Sequence, residues 1–143
     1  MGSYPRSDLV FGFPVELTDE QYEVRHYFAE QWRKAHPDAP VEPSGPQYTN
    51  NGFTPEFSAY REARDEWDSK YGIDVIRHGC FDNDEEFFLT ISTHQVHGDW
   101  DSPEPVDMEK LQMPPDIDAM KKFCKMFDFE WQKPSWYLLS SHG

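Results

Sequence analysis

Three short runs hold residue types able to do chemistry. His94-x-x-His97-x-Asp99 offers two imidazoles and a carboxylate, donors of the kind zinc takes. A zinc site needs about four such donors converging tetrahedrally. On a regular strand, residues three apart point to opposite faces, so His94 and His97 converge only if the strand ends between them. No matching Cys or His pair stands elsewhere in the chain. The expectation is therefore a strand exit with solvated histidines and no metal. His78-x-Cys80 places a base and a thiol on one side of a strand. A nucleophilic thiolate needs such a base and some exposure. Its flanking apolar residues favour a buried cysteine beside a hydrogen-bonded histidine. Asp82-Asn83-Asp84-Glu85-Glu86 matches a calcium loop in composition only. It lacks the mid-loop glycine and spaced terminal glutamate, and reads as an acidic hairpin turn.

No phosphate-cradling glycine loop, G-x-S-x-G elbow or H-E-x-x-H helix is present. Carboxylates are so abundant that no single pair stands out as acid and base. The expectation is a binding protein with no catalytic residues and no cofactor.

The elements that must position these residues follow from hydrophobic spacing. The apolar run Leu9–Val15 reads as a strand. Thr18 with Gln21 forms a capping-box pattern, and Val24, Tyr27, Phe28, Trp32 and Ala35 fall on one face of a helix that Pro37 ends. Thr54-Pro55 opens a second helix with the stripe Phe57, Tyr60, Ala63, Trp67 and Tyr71, and Gly72 follows as its C′ residue. Ile73–Phe81 and Phe87–Ser92 pair as an antiparallel hairpin. Apolar residues on both its faces predict a central place in the sheet. Asp116 caps a third helix that buries Ile117, Met120, Cys124 and Phe127. Trp136–Ser140 is a terminal strand.

Proline-rich segments at about 37–53 and 97–115 are long loops. A loop like the first is usually functional, mobile or clamped by side chains such as Tyr48. The order β-α-α-β-β-α-β predicts one α+β domain over residues 1–143. Its sheet has about four strands, mostly antiparallel, with three helices packed mainly on one face.

Charge narrows the function classes. The 143 residues include 13 Lys and Arg against 27 Asp and Glu, a formal net charge of −14. Nucleic acid and anionic membrane would be repelled. The mean hydropathy of −0.84 resembles that of a disordered chain, yet 16% of residues are aromatic, which a disordered chain would lack. No apolar run is long enough to span a bilayer, Met1–Asp8 lacks a signal-peptide layout, and the chain reads as cytoplasmic.

The acidic excess suggests a partner protein with a basic surface. Glu23, Glu30, Glu62, Asp65, Glu66, Asp84 and Glu85 are the candidate face, standing in for the phosphates of a nucleic acid. The plain alternative is that acidity keeps an aromatic-rich protein soluble. A different class of function comes from aromatic residues near the loops. Tyr48 and Trp100, with Arg61 and Arg64, would line a pocket for a nucleotide-like ligand.

At the C-terminal end, Phe123-Cys124 is followed by Trp136-Tyr137-Leu138-Leu139-Ser140-Ser141-His142-Gly143. This resembles small, mostly uncharacterised tailed-phage proteins that end in a Trp-aromatic-Leu strand with a terminal glycine. The hairpin from Gly72-Ile73 through Ile91 is similar. The resemblance covers about the last half of the chain, and its motifs are structural. It implies a viral gene, whose small acidic product would act in the host cytoplasm as a host-takeover or counter-defence factor, including anti-CRISPR-like inhibitors. Toxin-neutralising immunity proteins share the same profile. No functional residue carries over from the resemblance.

Overall fold

A computed structural model describes residues 5–23, 26–78, 86–99, 103 and 105–142. The chain is α+β, built on a four-stranded, wholly antiparallel sheet with a two-stranded sheet beside it. Strand β1 (Pro5–Val15) leads to helices α1 (Asp19–Glu23) and α2 (Tyr27–Lys34). The short strands β2 (Tyr48–Thr49) and β3 (Gly52–Phe53) precede helix α3 (Pro55–Tyr71). The hairpin is β4 (Ile73–His78) and β5 (Glu86–Asp99). Helices α4 (Met108–Gln112) and α5 (Ile117–Phe127) follow, then β6 (Ser135–His142).

The caps behave as their residue types require. Gln21 N–H donates to Thr18 Oγ1 at 3.2 Å, and Thr18 N–H donates back to Gln21 Oε1 at 3.1 Å. Thr54 Oγ1 accepts from Phe57 N at the start of α3, and Asp116 Oδ1 accepts from Ala119 N at the start of α5.

Four expectations change. The helix after Thr18 is not continuous: His26 has a left-handed backbone with φ 63°, and α2 restarts after it. That break turns the buried face to Phe28, Ala29, Trp32 and Arg33, leaving Ala35 exposed. Val24 lies outside the described residues. Gly72 is extended, with φ −67° and ψ 136°, and does not form a left-handed cap. Glycine is needed there for space, since a Cβ would sit 2.6 Å from Asp68 O and 2.8 Å from Ser92 Oγ. The hairpin is not central: the order β4-β5-β1-β6 puts β4 at an edge and makes β1 internal. Gly12 permits that close packing, because a Cβ there would fall 1.8 Å from Leu89 O. Finally, β5 continues to Asp99, well past Ser92, so the second loop begins later than expected.

The core forms where helices meet one sheet face. Phe28 and Trp32 of α2, Trp67 of α3, and Met120, Phe123 and Cys124 of α5 close over Phe13, Ile73, Leu89 and Ile91. Aromatic edges supply much of the contact, as with Phe28 and Phe127 at 5.0 Å and 81°. Val10, Phe88 and Leu139 form a second, smaller buried cluster with Ile76 and Tyr137.

The first loop is clamped, but not by Tyr48. Thr54 anchors it, donating from Oγ1 to Pro46 O at 3.0 Å and from its N–H to Gln47 O at 2.9 Å. Tyr48 is exposed and stacks on Phe53 at 5.0 Å. Among the described residues, no helix is long and apolar enough to cross a membrane.

Candidate functional site

The structure separates the two histidines of the zinc-like run. Val10 of β1 pairs with Gln95 and Gly12 pairs with Thr90, so two steps along β1 face five along β5. Residues 91–94 stand opposite Phe11 alone, three more than regular pairing allows, and this bulge re-aims side chains. His94 sits in the bulge and is buried, not solvated. Its Nε2–H donates to Met113 O at 2.7 Å, because a carbonyl only accepts. Nδ1 then accepts from the Thr93 hydroxyl at 2.8 Å. Both nitrogens are engaged, so His94 ties the segment after α4 to the sheet. His97 instead contacts Asp8 across the strand pair, at 2.6 Å. Among the described residues no group of three or more His, Cys, Asp or Glu could hold a metal ion.

The other chemistry-bearing candidates are structural or lie outside the description. Cys124 is free and buried, and burial pushes its thiol up to about 11, so it is inert at neutral pH. Cys80 and the acidic turn at 82–85 lie outside the described residues. His78 Nδ1 is buried and has no hydrogen-bond partner among the described residues.

A partly enclosed cavity of about 300 Å³ lies between α2, α3, the β5 bulge and the start of α5. Trp32, Trp67 and Tyr71 are among the residues that line it. Trp32 and Trp67 are both buried, whereas Tyr71 is exposed. Helix spacing brings them together: Trp67 and Tyr71 are one turn apart on α3, with ring centroids 5.8 Å apart. The Trp32 indole N–H donates to Tyr71 O at 3.4 Å, which docks α2 on α3.

His36 enters the same space from the end of α2. Its Nδ1–H donates to Trp32 O at 2.6 Å, and its ring lies 4.1 Å from the Trp32 ring. Its Nε2 has no hydrogen-bond partner among the described residues. The Trp67 indole N–H is buried without an acceptor among the described residues, a loss of about 1–3 kcal/mol. Asp38, Asp116 and Lys70 complete the polar lining.

Sequence reading missed this cavity. Its walls come from segments far apart in the chain, and only local pairs such as Trp32–His36 and Trp67–Tyr71 hint at it.

A partly buried charged seam joins α2 to α3. Arg33 of α2 makes a bidentate pair with Asp68 of α3, both bonds 2.8 Å. The guanidinium is held above its usual range by Asp68, against the opposing pull of burial. Asp74 lies near both. Burial pushes its carboxyl up to about 6, although it accepts a hydrogen bond from Val75 N at 2.8 Å.

The structure gathers some residues of the proposed acidic face and leaves others apart. Glu62, Asp65 and Glu66 share the exposed side of α3. Asp65 pairs with Arg64 at 3.3 Å and Glu66 with Lys70 at 3.4 Å, both on the same helix. Glu30 is exposed on α2. The side chain of Glu23 is not described, and Asp84 and Glu85 lie outside the described residues.

Of the nucleotide-pocket candidates, Trp100 lies outside the described residues. Tyr48, Arg61 and Arg64 share a ridge, and none lines the cavity. Tyr48 stacks on Phe53, Arg61 lies 4.4 Å over the Phe53 ring, and Arg64 lies 5.7 Å from Tyr60.

Comparison with protein-family models, with curated proteins and with solved structures found no match.

Proposed function

We propose that this chain is a non-catalytic binding protein. Its acidic surface would engage and inhibit a host or competitor protein through that protein's basic face, in the manner of a nucleic-acid mimic. The observation that carries this reading is the exposure of α3. The helix has 17 residues, yet Phe57 and Trp67 are the residues it buries. A surface helix ordinarily packs a wide apolar stripe. Here Ser58, Ala59, Ala63 and Ser69 are exposed alongside Glu62, Asp65 and Glu66. Small neighbours leave the carboxylates accessible, and the net charge of −14 would steer a basic partner toward them. The phage-protein resemblance agrees with such a role.

The test is Glu62→Lys combined with Glu66→Lys, assayed for partner capture at low and high salt. Capture that fades between about 50 mM and 500 mM salt, and drops in the double variant, supports the reading. Capture indifferent to both salt and charge reversal would sink it.

A second reading has its own observation. The exposed Tyr48–Phe53–Arg61 stack offers a flat ring and a guanidinium to a nucleotide-like ligand. Thermal shifts against a nucleotide panel, compared with Arg61→Ala, test that site separately.

A further inference from the structure

The turn between β2 and β3 holds a reactive pair that neither functional reading uses. The chain has three asparagines, Asn50, Asn51 and Asn83, and only Asn51 is followed by glycine. The side-chain carbonyl carbon of an asparagine, Cγ, is an electrophile within reach of the next residue's backbone nitrogen. Their union closes a five-membered ring. A Cβ on the following residue crowds that approach, and glycine has none.

The geometry leaves this pair free to react. Gly52 has φ 115°, a backbone conformation open to glycine, and a Cβ built there would meet nothing within 4 Å. Every residue from Ser44 to Phe53 is exposed. Thr49 Oγ1 is already committed, accepting from Asn51 N at 3.2 Å and donating to Gly52 O at 3.0 Å. Among the described residues the Asn51 carboxamide has no hydrogen-bond partner, so no side chain there holds it away from the backbone. The hairpin has only the pairs Tyr48↔Phe53 and Thr49↔Gly52. So short a hairpin opens at little cost, which lets Asn51 and Gly52 reach the geometry of attack.

We propose that Asn51–Gly52 is a self-modification site, where deamidation turns a neutral hairpin tip into an acidic one. The Gly52 backbone nitrogen gives its proton to hydroxide and attacks Asn51 Cγ. The new C–N bond closes a succinimide, and the side-chain nitrogen leaves as ammonia. Water then opens the ring. Opening at Cγ leaves an aspartate, and opening at the main-chain carbonyl leaves an isoaspartate whose chain runs through Cβ. The net reaction consumes one water, releases one ammonia and changes no oxidation state.

The product alters a surface. No charged residue lies between Glu42 and Glu56, so the new carboxylate, ionised at neutral pH, is the first charge in that stretch. It stands two residues from Phe53, whose ring lies 4.4 Å from the Arg61 guanidinium. Isoaspartate also lengthens the main chain of the turn by one atom. The chemistry goes beyond the α3 and Tyr48–Phe53–Arg61 readings and survives the failure of either.

Ageing the intact protein, followed by peptide mapping with mass spectrometry, tests the site. The peptide carrying Asn51 should gain about one dalton, and fragment ions separate Asn51 from Asn50. Conversion should be at least about tenfold faster at Asn51 than at Asn50 or Asn83. It should run faster at about pH 8.5 than at about pH 6.5, because the attacking nitrogen must lose its proton. Both isomers should form, since the ring opens at either carbonyl, whereas direct hydrolysis gives aspartate alone. Asn51→Gln needs a six-membered ring, and should slow the reaction at least about tenfold with unchanged circular dichroism. Ageing in guanidinium chloride measures what folding protects, and the folded rate should stay within about tenfold of the unfolded one. Equal rates at the three asparagines, aspartate without isoaspartate, an unaffected rate in Asn51→Gln, or stronger protection by the fold overturns the proposal.

Discussion

Helix α3 has two sides that treat charge in opposite ways. On the inner side, Asp68 holds Arg33 of α2 through two 2.8 Å bonds, and the guanidinium is nearly buried. On the outer side, Glu66 meets Lys70 at 3.4 Å with both side chains mostly in water. The inner pair is short and bidentate, and it sits beside a half-buried carboxylate, Asp74. The outer pair is long, single and on one helix. Charge on the inner side therefore holds two helices together, while charge on the outer side remains available to a partner.

The inner side gives the largest expected effect. Arg33→Ala leaves Asp68 and Asp74 close together without their shared cation. Breaking a buried pair from one side costs about 3–5 kcal/mol. Asp68 is partly exposed, so the expected loss is near the low end, about 3 kcal/mol by urea unfolding. A loss below about 1 kcal/mol would mean that the seam does not hold α2 to α3 and would erase the contrast.

How much of this was legible in the sequence depends on the range of the contacts. Thr18 with Gln21, Thr54 with Pro55, and Asp116 are local devices acting within one helical turn, and each appears where its residue type predicts. The α+β order is legible for the same reason, since it follows from periodicity within each segment. The break at His26 was hidden because Val24, Tyr27 and Phe28 keep a plausible helical spacing across it. The extent of β5 was hidden by its bulge, which interrupts the alternation just where His94 is buried. Reading the strand as finished at Ser92 put His94 in solvent. Packing against Phe11 and Trp136, and the bond to Met113 O, put it inside. The Arg33–Asp68 pair joins residues 35 positions apart, and the cavity draws its lining from Trp32 to Ala119. Neither charge pattern nor hydropathy encodes such a pairing. On the outer side, by contrast, exposure could be read directly, because Glu62, Asp65 and Glu66 need no partner to stay in water.

Asp74 sharpens the comparison through pH. Its folded carboxyl titrates at about 6, against 3.8 for the ordinary group, because burial disfavours the anion. Between those values the native state binds the extra proton, so this residue's contribution to stability falls as pH rises through the window. Above about pH 6 the folded protein carries a penalised charge. Asp74→Asn should therefore stabilise at pH 7 by about 1–2 kcal/mol, a figure reduced because the side chain is only half-buried. The gain should vanish near pH 4. Urea midpoints at the two pH values measure it. A variant equally stabilised at both would show that shape, and not charge, is the cause.

The smallest effect belongs to the outer face. Glu66→Ala removes a single-helix ion pair worth about 0.3–0.5 kcal/mol at low salt, and alanine returns part of that through helix propensity. The net change in stability should be within about 0.5 kcal/mol and should shrink further as salt is added. Thermal unfolding at low and high salt checks both statements. A loss above about 1 kcal/mol would mean that Glu66 has a structural task, and the outer face could no longer be treated as spare charge. A near-zero loss has a consequence for function. Side chains that contribute nothing to folding can be changed without unfolding the protein, so any loss of partner capture on charge reversal at Glu62 and Glu66 would report recognition itself.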